Sequence, residues 1–191
     1  GVFNTRYKTL RETTSDTVSI TLALDEVRKP ERDEGYTELY EAVCTAVKGF
    51  GEAGRRKALV ILSDGEHFPF SAPENPATPE DDIDAAVREG VTCYVVNFGK
   101  DRDNHLPRIA GESGGLVFDA GNSDELLGIY TGIRSNILDE YAVDYEAAMF
   151  PGEKRYVRAS YSSGGLETAR EYYSGTVLGS NTRRPRAFYL L

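Results

Sequence analysis

The sequence predicts an α/β fold: a doubly wound, mostly parallel sheet with helices on both faces, followed by a small C-terminal β-hairpin appendage. Three observations predict it. Lys57 to Ser63 and Val91 to Gly99 are near-continuous apolar runs, the pattern of strands buried on both faces. Segments of helical period alternate with such runs along the chain, which implies crossover connections and a parallel sheet. The first run also ends in Asp64-Gly65-Glu66, so carboxylates stand beyond the carboxyl end of a strand, where open α/β sheets bind their ligands.

Taken in order, Val2-Phe3 and Arg6 to Leu10 read as a short strand pair. Thr13-Thr14-Ser15-Asp16 offers helix N-caps for a helix from about residue 17, with Val18, Leu22, Leu24 and Val27 near helical spacing and Lys29-Pro30 as its stop. From Thr37 the spacing of Leu39, Tyr40, Val43 and Val47 predicts a helix closing before Gly49 or Gly51. The strand at 57–63 leads through a Pro-rich loop to Thr78-Pro79-Glu80-Asp81-Asp82, where a cap residue, a first-position proline and first-turn acids announce a helix that ends at Gly90. A strand over 91–99, a helix around 104–113, a short strand over 116–119 and a long helix from about Ser123 to Tyr141 continue the series. Lys154 to Ser162 and Leu166 to Tyr173, separated by a Ser/Gly turn, read as the hairpin. The expected organisation is a main domain over 1–145, a hairpin extension over 146–173 and a linker or tail over 174–191.

Composition narrows the function classes. The 191 residues are 40% hydrophobic and 28% charged with a net charge of −9, which is globular, and no run approaches the roughly 18 apolar residues of a spanning helix. Residues 1–145 hold 15 Lys and Arg against 27 Asp and Glu. That field repels polyanions, so no nucleic-acid partner is expected; it suits divalent cations or basic protein patches, or serves solubility alone. Cys44 and Cys93 fall in apolar patterns and read as buried small hydrophobes rather than a disulfide pair, and no Cys/His cluster has zinc spacing.

Three features meet at the predicted carboxyl-end rim: Thr37 after Gly35-Tyr36, Asp64 after the first buried strand, and Asn97 at the end of the next. Hydroxyl and carboxylate oxygens are the donors a hard cation accepts. Each has a bland reading as well, Asp64 as a strand-end turn former and Thr37 as a helix N-cap. Glu66 reads as a neighbouring or solvent-facing acid. His67 and His105 lack spaced partners and read as surface residues rather than catalytic ones. A Rossmann-like nucleotide-binding enzyme is the rival reading, since doubly wound sheets also host dinucleotides. The glycines oppose it, since Gly111 to Gly115 leaves a helix and opens a strand, the reverse of a phosphate cradle.

Gly35-Tyr36-Thr37-Glu38-Leu39-Tyr40-Glu41-Ala42 and Leu62-Ser63-Asp64-Gly65-Glu66 resemble the second and third loops of the metal-ion-dependent adhesion site in von Willebrand factor type A domains. Gly90 to Gly99, Leu106 to Ala110 and Gly114 to Ala120 follow in the same family order. The resemblance implies a protein-binding, non-enzymatic adhesion module in which Thr37 and Asp64 are metal ligands. It further implies that a cofactor cation, Mg²⁺ or else Mn²⁺ or Ca²⁺, bridges to an acidic residue of a protein partner. A secreted or cell-envelope setting is favoured on the same ground, and a metal-independent scaffold is the alternative. The family's first site loop, Asp-x-Ser-x-Ser on the opening strand, has no counterpart here, because Val2-Phe3-Asn4 already resembles the second strand. The site is therefore expected to be weak or absent in this chain, and the strand at 57–63 to show an unpaired edge. The tail after Tyr141 also resembles that of a group of bacterial proteins carrying this domain.

Overall fold

The computed structural model describes residues 1–28, 35–51, 56–70, 76–138, 141–143, 152–161, 165–173 and 188–190. They fall into two compact units, Gly1–Ile133 and Arg134–Leu191.

In the first unit β1 (Val2–Phe3) and β2 (Tyr7–Lys8) form a short antiparallel pair. A three-stranded parallel sheet follows, ordered β3 (Lys57–Ser63), β4 (Val91–Phe98), β5 (Val117–Ala120), with Ser63 opposite Asn97 and Asn97 opposite Asp119. Helices α2 (Leu39–Lys48), α3 (Pro79–Glu89) and α4 (Leu106–Ser113) pack on it; α1 (Thr17–Asp25) precedes α2 in the chain, and α5 (Ser123–Leu138) follows β5 and runs across the boundary of the two units. The central strand β4 explains its own unbroken apolar run: Val91 to Asn97 are all buried. Val91, Cys93 and Val95 join one core with Leu39, Tyr40, Val43, Cys44 and Val47 of α2, Ile61, Ile83, Ala86, Leu106, Ile109 and Ala110. The second face of β4 buries Tyr94 and Val96. Among the described residues β3 pairs with β4 alone, so its other edge carries no strand.

Local chemistry sets the element ends. Thr78 caps α3 by accepting from the Asp81 amide at 3.2 Å while the Asp81 carboxylate accepts from the Thr78 amide at 2.9 Å, a reciprocal capping box with Pro79 inside it. Gly90 ends the helix at φ 66°, a left-handed turn open to glycine. The one lysine of β3 is used at that same end: Lys57 Nζ donates to the carbonyls of Gly51 and Glu89, the latter at 3.1 Å. Its cation thus meets the negative terminus of α3. Gly115, between α4 and β5, is forced by proximity. A Cβ there would lie 1.9 Å from the Cys93 carbonyl oxygen.

Two readings of the sequence need correction. Helix α1 forms where expected, capped by Asp16, but Val18, Leu22, Leu24 and Val27 are exposed, and the buried positions of the helix are Ser19 and Ala23. Val18, Ile20, Leu22 and Leu24 alternate along a helix and so spread around it rather than forming one stripe. Helix α5 stops at Leu138, and Tyr141–Val143 is instead strand β6, paired antiparallel with β9 (Phe188–Leu190). In the second unit the predicted hairpin is present as β7 (Lys154–Tyr161) and β8 (Leu166–Tyr173). Exposed cross-strand ion pairs Lys154–Glu171 and Arg158–Glu167 decorate it, at 2.6 and 2.8 Å, and contribute little in water. Most of the tail read over 174–191 lies outside the described residues.

Asp82 is the anomaly of the core. It is fully buried in α3, and neither carboxylate oxygen has a hydrogen-bond partner. Burial pushes it up to about 8, with Asp81 and Glu41 adding to the rise. The Cys44 backbone and Lys48 oppose that shift, though the Cys44 amide makes no aligned hydrogen bond. The acid is therefore neutral over most of the physiological range. A folded-state value raised above the unfolded one favours folding at low pH, and that advantage drains away as pH rises from the ordinary carboxylate range through about 8.

Two outcomes follow from these packings. Asp82→Asn gains on wild type between about pH 5.5 and about pH 8.5, by up to a few kcal/mol, in urea unfolding at the two pH values. Gly115→Ala costs about 3 kcal/mol or more in the same assay, because the obstructing atoms are backbone.

Candidate functional site

The carboxyl-end rim of the sheet is built from the ends of β3 and β4, the loop over 64–70, the segment entering α2 and the segment entering α4. Thr37 is not the cap of α2. The residue before the helix is Glu38, which makes no side-chain capping bond, while Thr37 lies in an extended bridge with Phe68. The two residues exchange both backbone hydrogen bonds, Thr37 N–H to Phe68 O at 2.7 Å and Phe68 N–H to Thr37 O at 2.9 Å. Asp64 is the first residue past β3 and is exposed. The bridge therefore ties the segment of Thr37 to the loop that begins with Asp64. Asn97 is buried and committed elsewhere: its amide donates to Asp119 at 2.9 Å, and Arg102 closes on the same carboxylate at 3.2 Å.

Further contacts stiffen this rim. The Glu38 amide donates to Asn4 O at 2.8 Å, and the Glu38 carboxylate accepts from the Phe70 amide at 3.1 Å. Tyr36 stacks on Phe68 with centroids 5.5 Å apart and meets Phe70 edge-on at 4.9 Å. Both phenylalanines remain largely exposed, so the aromatic cluster is displayed on a backbone that is held.

The organising residue, Asp103, was not singled out by the sequence. Its side chain is only 5% exposed, yet it is fully engaged. One oxygen accepts from the Tyr40 hydroxyl at 2.9 Å and the His67 amide at 3.1 Å; the other accepts from the amides of His105 at 2.9 Å and Leu106 at 3.3 Å. Burial pushes the Asp103 carboxyl up, but the backbone donors at His105 and His67, the Tyr40 hydroxyl and the Leu106 amide outweigh it and hold the group below the ordinary carboxylate range. Burial, then the bond to Asp103, drives the Tyr40 phenol well above its usual value, so it stays a donor. A sequence signal existed in Asp103-Asn-His-Leu-Pro107, an acid three residues before a helix that carries proline in its first turn.

His67 departs from its reading as a surface residue. It is half-buried, stacks on Tyr40 with centroids 4.3 Å apart, and accepts the Leu39 amide on Nδ1 at 3.2 Å. His105 is exposed and sits edge-on to Tyr40 at 6.2 Å. Cys44 and Cys93 are free and buried, and burial raises the Cys93 thiol to about 11, which leaves it unreactive.

Thr37 and Asp64 supply oxygen donors of the kind Mg²⁺, Mn²⁺ or Ca²⁺ accepts, but two such donors fall short of a dedicated site. Among the described residues no three His, Cys, Asp or Glu side chains are grouped to hold a metal ion. The set fits a hard cation in kind and not in number. None of the helices among the described residues is long and apolar enough to cross a membrane.

Comparison with known proteins agrees with this fold. Residues 2–131 match the von Willebrand factor type A domain. A UPF0353 protein of Mycolicibacterium gilvum is 27% identical over 144 residues, covering 65% of this chain and 43% of the relative. One from Mycolicibacterium vanbaalenii is 29% identical over 135 residues, covering 60% and 40%. The chain thus spans less than half the length of these curated relatives. Among solved structures, proximal thread matrix protein 1 from the mussel byssus superposes with a TM-score of 0.54 at 18% identity, over 74% of this chain and 36% of that one. A second structure of that protein, with a zinc-occupied MIDAS motif, gives 0.50 at 20% identity over 63% and 28%. At such identities the likeness is one of fold.

Asp103→Asn replaces an oxygen acceptor by a donor, and is expected to cost about 2–3 kcal/mol near pH 7. Because the folded carboxyl is held low, its stabilisation is present above the ordinary carboxylate range and is lost as pH falls through its depressed value. The gap between variant and wild type in urea unfolding should therefore narrow at about pH 3.

Proposed function

Because the chain belongs to the von Willebrand factor type A domain family, whose members are in general protein-interaction modules, we propose that it is a non-enzymatic protein-binding domain that engages its partner at the carboxyl-end rim. The observation that carries this reading is the Thr37–Phe68 bridge, which fastens the segment of one oxygen donor to the loop that starts with the other, Asp64. In the fuller form of this reading, a divalent cation at the rim takes an acidic side chain of a protein partner as a further ligand. Among the described residues the chain contributes the Thr37 hydroxyl and the Asp64 carboxylate to such a cation, so it holds one weakly. A cation with two protein donors keeps most of its water, and Mg²⁺ in particular dehydrates reluctantly.

A metal-independent scaffold role is the second reading, favoured by the absence of a metal-holding group among the described residues. The two part on chelation: partner binding abolished by EDTA supports the cation-bridged mode, and binding unaffected by EDTA supports the scaffold.

Calorimetric titration of the chain with Mg²⁺ or Mn²⁺ is expected to show affinity in the millimolar range or weaker. Micromolar binding by this chain would overturn the weak-site reading.

A further inference from the structure

Helix α2 starts without a cap of its own. Glu38 makes no capping bond and turns its carboxylate to the Phe70 amide. The open Leu39 amide is met instead from 28 residues away, by His67 Nδ1 at 3.2 Å. To accept there, the neutral imidazole carries its proton on Nε2. Two more contacts fix the same residue: its ring lies on Tyr40 at 4.3 Å with an interplanar angle of 27°, and its amide donates to the buried Asp103 carboxylate at 3.1 Å.

Sequence position gives these contacts their meaning. Leu39 is two residues past Thr37, while His67 lies between Asp64 and Phe68, the residue bridged to Thr37. The imidazole therefore closes a ring whose one side is Thr37–Leu39 and whose other is His67–Phe68, with Asp64 three residues before His67 in the same loop. We propose that His67 is the positioning residue of the rim, its Nδ1 capping α2 and so holding the loop of Asp64 in register with Thr37. This rests on the reading of Thr37 and Asp64 as the binding groups. A cap supplied by a distant loop does two things at once: it satisfies an amide that helix geometry leaves open, and it makes the helix start and the loop one mechanical piece.

Two substitutions separate the acceptor from the ring. In His67→Asn the side-chain oxygen follows the course of Nδ1 and keeps an acceptor without the ring; His67→Phe keeps an aromatic face for Tyr40 without the acceptor. The test is amide hydrogen exchange by NMR on the full chain, reading Thr37, Leu39 and Phe68 relative to the β4 amides of Val95 and Val96, which report global opening. His67→Phe is expected to raise the relative exchange of the three rim amides about fivefold to tenfold, the effect of losing a cap, and His67→Asn to leave it within about twofold of wild type. Unchanged relative exchange in His67→Phe, or an equal loss in both variants, overturns the proposal. Mn²⁺ added to wild type tests the underlying reading separately. Selective broadening at Thr37 and Asp64 supports them as the binding groups. If broadening is absent while the exchange pattern is as expected, the cation reading falls and the positioning role stands.

Discussion

Four donors converge on the Asp103 carboxylate, and through them it joins three segments that are distant in sequence: the first turn of α2 through Tyr40, the strand-end loop through the His67 amide, and the start of α4 through His105 and Leu106. A carboxylate this deeply buried is tolerable only because its lone pairs are filled. The same need makes it specific, since moving any one of the segments would take at least one donor from a buried charge. The rim is ordered by this requirement before any ligand is considered.

Around that anchor the backbone does most of the holding. Thr37 and Phe68 pair as two short extended segments, Glu38 fastens to Asn4 on one side and Phe70 on the other, and Gly115 lets the turn before β5 press against the Cys93 carbonyl. The side chains left over are those a binding surface needs: exposed acids at Asp64 and Glu66, and the ring cluster of Tyr36, Phe68 and Phe70. Asn97, by contrast, is consumed by the Asp119–Arg102 group and helps to shape the rim.

Asp82 shows the opposite economy of a buried acid. Lacking donors, it survives in the core by staying protonated, whereas Asp103 survives by staying bonded. The two buried aspartates therefore shift in opposite directions: burial, with Asp81 and Glu41, raises Asp82, while the hydrogen-bond donors around Asp103 outweigh its burial.

Much of the fold was legible in the sequence because its signals are local and periodic. The stripe of Leu39, Tyr40, Val43 and Val47 is buried as its spacing requires, Thr78-Pro79 and Gly90 bound α3, and the unbroken run of β4 is the strand covered on both faces. The family resemblance at Thr37 and Asp64 was legible too, since it resides in short motifs at strand and helix boundaries. What the tertiary structure alone decided are relations between residues far apart in the chain. Nothing within a window of His67 reveals that it caps a helix 28 residues earlier, nor within a window of Asp103 that it collects donors from three segments. Nor could spacing settle the burial of α1, because its apolar residues spread around the helix and only packing decides which positions are covered.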